Sequence, residues 1–564
     1  MQGNKGTNGR CWSRKEVAEK TVEFEEEYQH TPSQRQVAKK LGVPRSTLQH
    51  WLNRKSSIDA APEVVAFFES PAGVAFLHRL MLAAQFVITL LGPGGIRLVC
   101  LFLELSGLDQ FVAASYGSQQ QVTVVMEEAV VEFGQEEQQR LAKDMEPKQV
   151  TVCEDETFHP AVCLVAIEPV SNFILLEQYA DNRQAETWTS SLAEATADLS
   201  IEIIQSTSDE GTGLLRHVAV DLGAHHSPDV FHVQHELVKG TSGALASKTR
   251  QAEQVVAEAA KQVSAHQEAQ AACQEAEGAE CPPELAVQLA QAQEQGQAAQ
   301  SALETAAAQQ ERARQAIQGI GAAYHPYDLE TGAARNAKDV STSLEQHFAE
   351  IETVATETGL SESCVKRIAK AKRVVGAMVA TIAFFWLTVR AKVEALSLAP
   401  EVERAVYNNL IPGIYLHLVS EKAQHAEQRH ALQRKSEQLL APLRARDGPL
   451  GDLEPEEKLV IERVAQECAH LFQRSSSCVE GRNGQLALRH HSLHRISNRK
   501  LAALTTTHNY FVKWSDGTTA AERFFGAKPK NLFEWLLDRV DLPGRPAQKR
   551  SQPQPKEYLV PAAA

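Results

Sequence analysis

Strand-forming sequence is confined to one short part of this chain, and that restriction shapes everything else. Between Gln149 and Val233, β-branched and apolar runs come one after another: Val150-Thr151-Val152-Cys153, Cys163 to Ile167, Phe173 to Leu176, Ile201 to Ile204, and Asp229 to Val233. Helical spacing interrupts them at Ala185 to Leu199, where Trp188, Leu192 and Ala195 share a face, and again from Gly213 to Val218. Elsewhere in the 564 residues the apolar periodicity is helical. A chain of this length supports three or more domains, so the expectation is a helical protein built around one small mixed sheet, α + α/β in class.

The flanks divide by composition. Residues 1–58 read as a compact helical unit in which Thr31-Pro32-Ser33 opens a helix, Gly42-Val43-Pro44 breaks it, and a second helix runs through Ser46 to Leu52. Ala38, Leu41, Val43, Leu48 and Trp51 would pack the pair, leaving Arg45, Ser46, Thr47, Gln49 and His50 exposed at the start of the second helix. That is the helix-turn-helix pattern, whose second helix reads the DNA major groove. Residues 59–147 form a helical connector; within it, Leu108 to Phe133 reads either as a second DNA-binding element or as plain scaffold. Residues 241–472 lack strand signal, and their Ala/Gln/Glu-rich halves, 245–280 and 284–318, predict a long antiparallel hairpin broken at Gly278 to Pro283. Further helices are expected at 341–356, 366–397, 401–441 and 455–473. Residues 473–542 return to the sheet, and 543–564, rich in Pro, Gln and Lys, read as a disordered tail.

Charge is segregated. The net charge is −14, yet Lys and Arg crowd the first 55 residues and the region after Arg474, while the acidic excess lies around Glu127 to Glu137 and Glu253 to Glu304. Basic ends on an acidic middle suit a protein that meets DNA at chosen places. Nine irregularly spaced cysteines suggest reduced thiols. The polar N-terminus carries no signal peptide, and His78, Arg79, the Gly92-Pro93-Gly94-Gly95 loop and Arg97 interrupt the apolar stretch 73–108, so a cytoplasmic protein without a membrane span is expected. That loop lacks the Lys and Ser/Thr of a phosphate loop, and no nucleotide dependence is expected.

Three strands in series, then helix, strand, helix, strand, is the order of the RNase H-like fold. In that fold, phosphoryl transfer uses carboxylates on the first strand, after the fourth strand and on a later helix, which together hold two divalent metals. Asp155 in Glu154-Asp155-Glu156, Asp209 in Ser208-Asp209-Glu210-Gly211, and Glu480 in Val479-Glu480-Gly481-Arg482-Asn483 stand in those three places. Glu154 and Glu156 should face away from Asp155 by strand alternation, and Glu210 and Asp221 are rival ligands. With Asp229-Val230-Phe231-His232, these motifs resemble bacterial insertion-sequence transposases of the DDE class that carry a C/D(2)H signature and an all-helical insertion before the Glu.

The resemblance implies that Asp155, Asp209 and Glu480 bind two Mg²⁺ ions, which Mn²⁺ can replace. They would cut double-stranded DNA at element ends and join it to target DNA, in a homo-oligomer. It places Asp229, His232, Asn483 and Arg489 in support, with Arg495 further along the same helix as Arg489. The separation of 271 residues between Asp209 and Glu480 (480 − 209) departs from the simple fold and requires the insertion. Two alternatives stand beside this reading: another RNase H-like nuclease, and a catalytically inactive, domesticated DNA-binding protein. The Tyr324-His325-Pro326-Tyr327-Asp328 cluster and Trp386 are read as core or turn residues before DNA contacts.

Overall fold

A computed structural model describes residues 12–547 apart from 159–160, 276–281, 446 and 494. It is mostly helical, with one small mixed sheet of five strands.

At the N-terminus, Ser13 and Glu16 form a reciprocal capping box that starts α1 (Arg14–His30). Helices α2 (Gln34–Lys40) and α3 (Arg45–Ser56) follow, and the turn between them passes through Gly42 at φ +66°, a left-handed conformation that glycine adopts without penalty. Val17, Phe24, Val37, Ala38, Val43, Leu48 and Trp51 make a core of their own, sealed by Trp12 edge-on to Trp51.

The connector contains α4 (Pro62–Phe68), α5 (Pro71–Phe86), a π-helical turn (Val87–Leu91), α6 (Ile96–Leu105) and α7 (Tyr116–Ala142). Helix α7 runs to Ala142, and Met126, Val130, Phe133 and Leu141 are buried in the same cluster as the sheet. One face of the 108–133 segment therefore packs under the sheet.

The sheet comprises β1 (Lys148–Phe158), β2 (Val162–Glu168), β3 (Phe173–Ala180), β4 (Ile201–Ser208) and β5 (His225–Pro228), in the order β3-β2-β1-β4-β5. The first three are antiparallel; β4 runs parallel to β1 and β5 parallel to β4. Helix α8 (Ala185–Thr196) lies between β3 and β4, and α9 (Thr212–Arg216) with a π-helical turn (His217–Asp221) between β4 and β5. The sheet is covered on both faces, so β2 reads as an unbroken buried run from Cys163 to Glu168.

The fifth strand differs from its sequence expectation. Residues 229–233 are not strand: Asp229 ends β5, and Val230 opens the 46-residue α10 (Val230–Glu275), in which Val230, Val233 and Leu237 form a buried helical row. The true β5, His225-His226-Ser227-Pro228, is polar and short, and lies under the aromatic ring of Phe384, which stacks on His225 at 4.4 Å.

Helix α10 turns back as α11 (Pro283–Ala323), the expected hairpin, whose distal seam buries only small side chains such as Ala259, Ala292 and Ala299. The helical layer continues as α12 (Ala337–Glu357), α13 (Glu362–Lys372), α14 (Val375–Glu394), α15 (Pro400–Ala405), a π-turn (Val406–Leu410), α16 (Ile411–Glu421), α17 (Ala426–Arg444) and α18 (Pro455–Leu471). The expected helices 366–397 and 401–441 are thus each divided, the first at Arg373-Val374 and the second at Lys422 to His425, after a helix that runs through the π-turn without a break. Tyr324, His325 and Tyr327 are fully buried here, and Trp386 packs on the same cluster with its Nε1 donating to the Arg335 carbonyl at 2.8 Å. All four pack in the core of the helical layer, His325 bonding the Tyr415 hydroxyl at 2.6 Å.

The chain returns to the sheet as α19 (Ser477–Leu493), α20 (Asn498–Tyr510), α21 (Ala520–Phe525) and α22 (Leu532–Arg539). The start of the expected tail is anchored: the Ala113 N–H donates to the Gly544 carbonyl at 2.8 Å, Arg54 to the Pro546 carbonyl, and Arg545 pairs with the buried Glu69. Residues 548–564 lie outside the described residues. Pro71–Leu91 and Glu362–Glu394 are long and apolar enough to cross a membrane by length and composition. Both contribute buried side chains to the interior, among them Leu77, Met81 and Phe86 from one and Ile382, Phe385 and Val389 from the other. Cys273 in the hairpin is disulfide-bonded, which the irregular cysteine spacing did not foretell.

Candidate metal centre

Strand alternation separates the acidic run on β1 into two functions. Asp155 points to the face covered by α19, as does Cys153, whose thiol reaches the Ser475 carbonyl. Glu154 and Glu156 point the other way: Glu156 accepts from the Trp188 indole at 3.2 Å, and Glu154 is fully buried. The parallel register sets Cys153 opposite Thr207, so two residues further on Asp155 and Asp209 leave the sheet at the same level.

Glu480 arrives from the far end of the chain because two helix starts are fastened together. Asp229 is buried, and its Oδ1 accepts the Phe231 N–H at 2.7 Å, which stabilises the first turn of α10. Its Oδ2 accepts the N–H of Ser476 at 3.1 Å and the hydroxyl of Ser476 at 2.5 Å, directly before α19. One carboxylate thus holds the start of α10 against the start of α19. The outcome is that His232, in the first turn of α10, faces Glu480, in the first turn of α19, at 3.9 Å.

Asp155, His232 and Glu480 each offer a donor atom, and these three atoms lie within 4.8 Å of one another. Asp209 is beside this group but not in it: its Oδ1 is engaged by the Gly211 N–H at 2.9 Å, while its charge acts on Asp155. Burial pushes the Asp155 carboxyl up to about 7, the Glu156 N–H and His232 oppose that rise, and the charges of Asp209 and Glu480 add to it. The Nε2 of His232 is buried without a hydrogen-bond partner among the described residues, as is the Oδ1 of Asn483, one turn along from Glu480. A raised carboxyl and the orphaned Nε2 of His232 within the same group are features that a bound divalent cation would relieve, so the residues present fit one. The donor set is mixed, with one imidazole among carboxylates, and suits Mn²⁺ at least as well as the oxygen-seeking Mg²⁺.

The remaining sequence candidates divide. Arg489 does not support the site: its guanidinium donates to the carbonyls of Leu90 at 2.6 Å and Gly92 at 2.7 Å, closing the C-terminal end of the π-turn. Nine residues beyond Glu480 on one helix, it lies too far along the axis to reach the carboxylates. Arg495 falls past the end of α19 at Leu493. Glu210 is exposed, and Asp221 accepts from the Thr189 hydroxyl at 2.8 Å on the opposite side of the sheet. In the N-terminal unit Arg45, Ser46, Gln49 and His50 are exposed and Thr47 partly so, along one side of α3, with Gln49 bonded to Gln34 and Asn53.

Two features escaped the sequence reading. Arg482, buried on α19, makes a two-pronged ion pair with Glu177 of β3 at 2.7 and 2.6 Å, and Thr505 of α20 donates to the same carboxylate at 2.6 Å. On the other face, Glu154 accepts from the Ser206 hydroxyl and lies 3.4 Å from the buried His217, which bonds Thr189 at 2.8 Å. Such pairs join residues 305 and 63 positions apart (482 − 177 and 217 − 154), and no local spacing signals them.

Residues 406–552 match a family of unknown function (DUF6399). That stretch runs from the π-turn in the helical layer through the helix that carries Glu480 and beyond it. No curated protein matches the chain.

Proposed function

We propose that the chain is a metal-dependent DNA strand-cutting and strand-joining enzyme of the transposase type. The observation that carries the reading is the convergence of Asp155 and Glu480, 325 residues apart (480 − 155), with His232 between them and Asp209 alongside. The sheet order and strand directions resemble the RNase H-like fold, with α10 to α18 as the helical insertion and α1 to α3 as the DNA reader. Divalent ions, when bound, supply activation of water or a 3′-hydroxyl and neutralise charge building on the scissile phosphate. Asp155 and Glu480 would hold them, with Asp209 and His232 completing the set. Asp229 positions: it keeps His232 and Glu480 facing each other. Asn483 offers a carbonyl oxygen on the same helical face. The substrates are double-stranded element ends and target DNA, and a cytoplasmic location belongs to the same reading.

The test pairs two measurements on the full chain. Calorimetric titration with Mn²⁺ should show binding that Asp155→Asn and Glu480→Gln abolish. Cleavage of DNA carrying the element's own flanking repeats should vanish in Asp155→Asn, Asp209→Asn and Glu480→Gln while DNA binding persists, the three losses being alike because the residues act as a unit. Undiminished cleavage in Asp155→Asn overturns the reading. DNA binding without Mn²⁺ binding in the wild-type chain favours the inactive, domesticated protein.

A further inference from the structure

Helix α6 has two apolar sides. Val99 and Leu103 are buried inward. On the outer side Leu98, Leu101 and Leu105 stand in one row at i, i+3 and i+7, and are 52%, 45% and 81% exposed. Single exposed leucines are ordinary; a row of three on one helix is the seam of a helix pair with one member missing. Arg97 and Glu104, seven residues apart, border the row on one edge, both exposed and neither ion-paired among the described residues.

We propose that the leucine face of α6 is a two-fold interface between two copies of this chain. The charges select the occupant. A second α6 laid antiparallel across the row sets Leu98 against Leu101 of the other copy and brings Arg97 beside its Glu104, and the two-fold axis makes both contacts twice. In a parallel copy the two charged edges would lie on opposite sides of the pair and make no contact across it. A partner of unrelated sequence has no reason to carry the matching edge, whereas the chain itself carries both halves. The interface does not depend on the strand-transfer reading, since it is read out as mass.

Sedimentation velocity on the full chain tests it. The wild-type protein, 61.9 kDa as a single chain, should sediment at twice that mass. Leu101→Asp should give the single chain. Arg97→Glu and Glu104→Arg should each weaken the dimer by about tenfold or more, because each sets two like-charged pairs across the axis. The reversed pair Arg97→Glu/Glu104→Arg should return the dissociation constant to within about threefold of wild type, the signature of direct contact. These side chains are exposed, so unchanged circular dichroism certifies the fold of each variant. Three results overturn the proposal: a wild-type chain that stays single up to about 50 µM, where even weak specific pairing would show; a dimer indifferent to Leu101→Asp; or a reversed pair that fails to restore association. Binding of the single chain to phosphatidylcholine vesicles through the same leucines would overturn it too.

Discussion

Removing Glu177 should loosen the helix that carries Glu480. Arg482 is 6% exposed and Glu177 not at all, so Glu177→Ala leaves a guanidinium buried without its counter-charge. A surface ion pair would contribute about 0–1 kcal/mol, whereas breaking a buried one costs about 3–5 kcal/mol, mostly because the remaining charge stays desolvated. Thr505 keeps the Leu501 carbonyl at 3.0 Å as an acceptor, so the stranded guanidinium is the main loss. The chain has several separate cores, so global unfolding is a poor gauge and the local reporter is amide hydrogen exchange along residues 477–493. Exchange there should accelerate by about a hundredfold or more in Glu177→Ala while the amides of α1 to α3 are unaffected. Replacing both partners, as in Glu177→Leu/Arg482→Met, should recover most of the protection, since neither charge is then stranded. Arg482→Lys should not, because a point charge cannot meet both carboxylate oxygens. Less than a fourfold acceleration in Glu177→Ala, or a double variant as exposed as the single ones, would refute the reasoning.

In metal-free buffer, Asp155 carries a pH signature. Its carboxyl is held up at about 7 against an ordinary 3.8, so the folded state keeps the proton longer and wild-type stability falls, relative to Asp155→Asn, as pH rises from about 4 to about 7; melting curves at pH 5 and 8 in chelator that run parallel for the two proteins would contradict this. His232→Ala should weaken Mn²⁺ more than Mg²⁺, by about tenfold in the ratio of their affinities, because an imidazole favours the softer ion; equal losses by calorimetry would place His232 outside the coordination shell. Arg45→Ala and Gln49→Ala should each cost about 1–3 kcal/mol in DNA affinity if they read bases, measured by anisotropy at fixed salt. Shortening the hairpin between residues 252 and 308 should leave the melting temperature of the remainder within a few degrees, since that part buries little but alanine, yet it should prevent two DNA ends from being held together in gel shifts.

What could be read in advance follows the range of the forces involved. That Asp155 and Glu480 meet was legible because strand β1 and the start of α19 carry local patterns of alternation and composition, whereas Asp209, placed with them from the sequence, stands beside the group. The 229–233 segment misled for an equally local reason: Val230, Phe231 and Val233 favour strands, but Asp229 caps a helix and Val230, Val233 and Leu237 bury a helical row. The real β5 offered no apolar signal, since His225 and His226 sit in a strand defined by its neighbour β4 and by Phe384 overhead. Arg489 was misplaced because helical position alone says nothing of what approaches from 400 residues away, here the carbonyls of the π-turn. Similarly, His232 emerged as the third donor atom only once Asp229 had joined two helix starts from opposite ends of the insertion.

That joint gives α10 an unequal pair of arms. With Asp229 taken as the fulcrum, His232 sits three residues from it, and the far end of α10 at Glu275 lies about 70 Å away along 46 residues. A tilt of about 5° would swing the tip by roughly 6 Å yet move His232 by only about 0.4 Å, so sideways load on the hairpin is geared down before it reaches the carboxylates. Rotation of the rod about its own axis is not reduced in this way: a turn of about 20° carries the imidazole roughly 2 Å away from Glu480. The buried row of Val230, Val233 and Leu237 resists such a turn, so packing guards the centre against torque as leverage guards it against tilt.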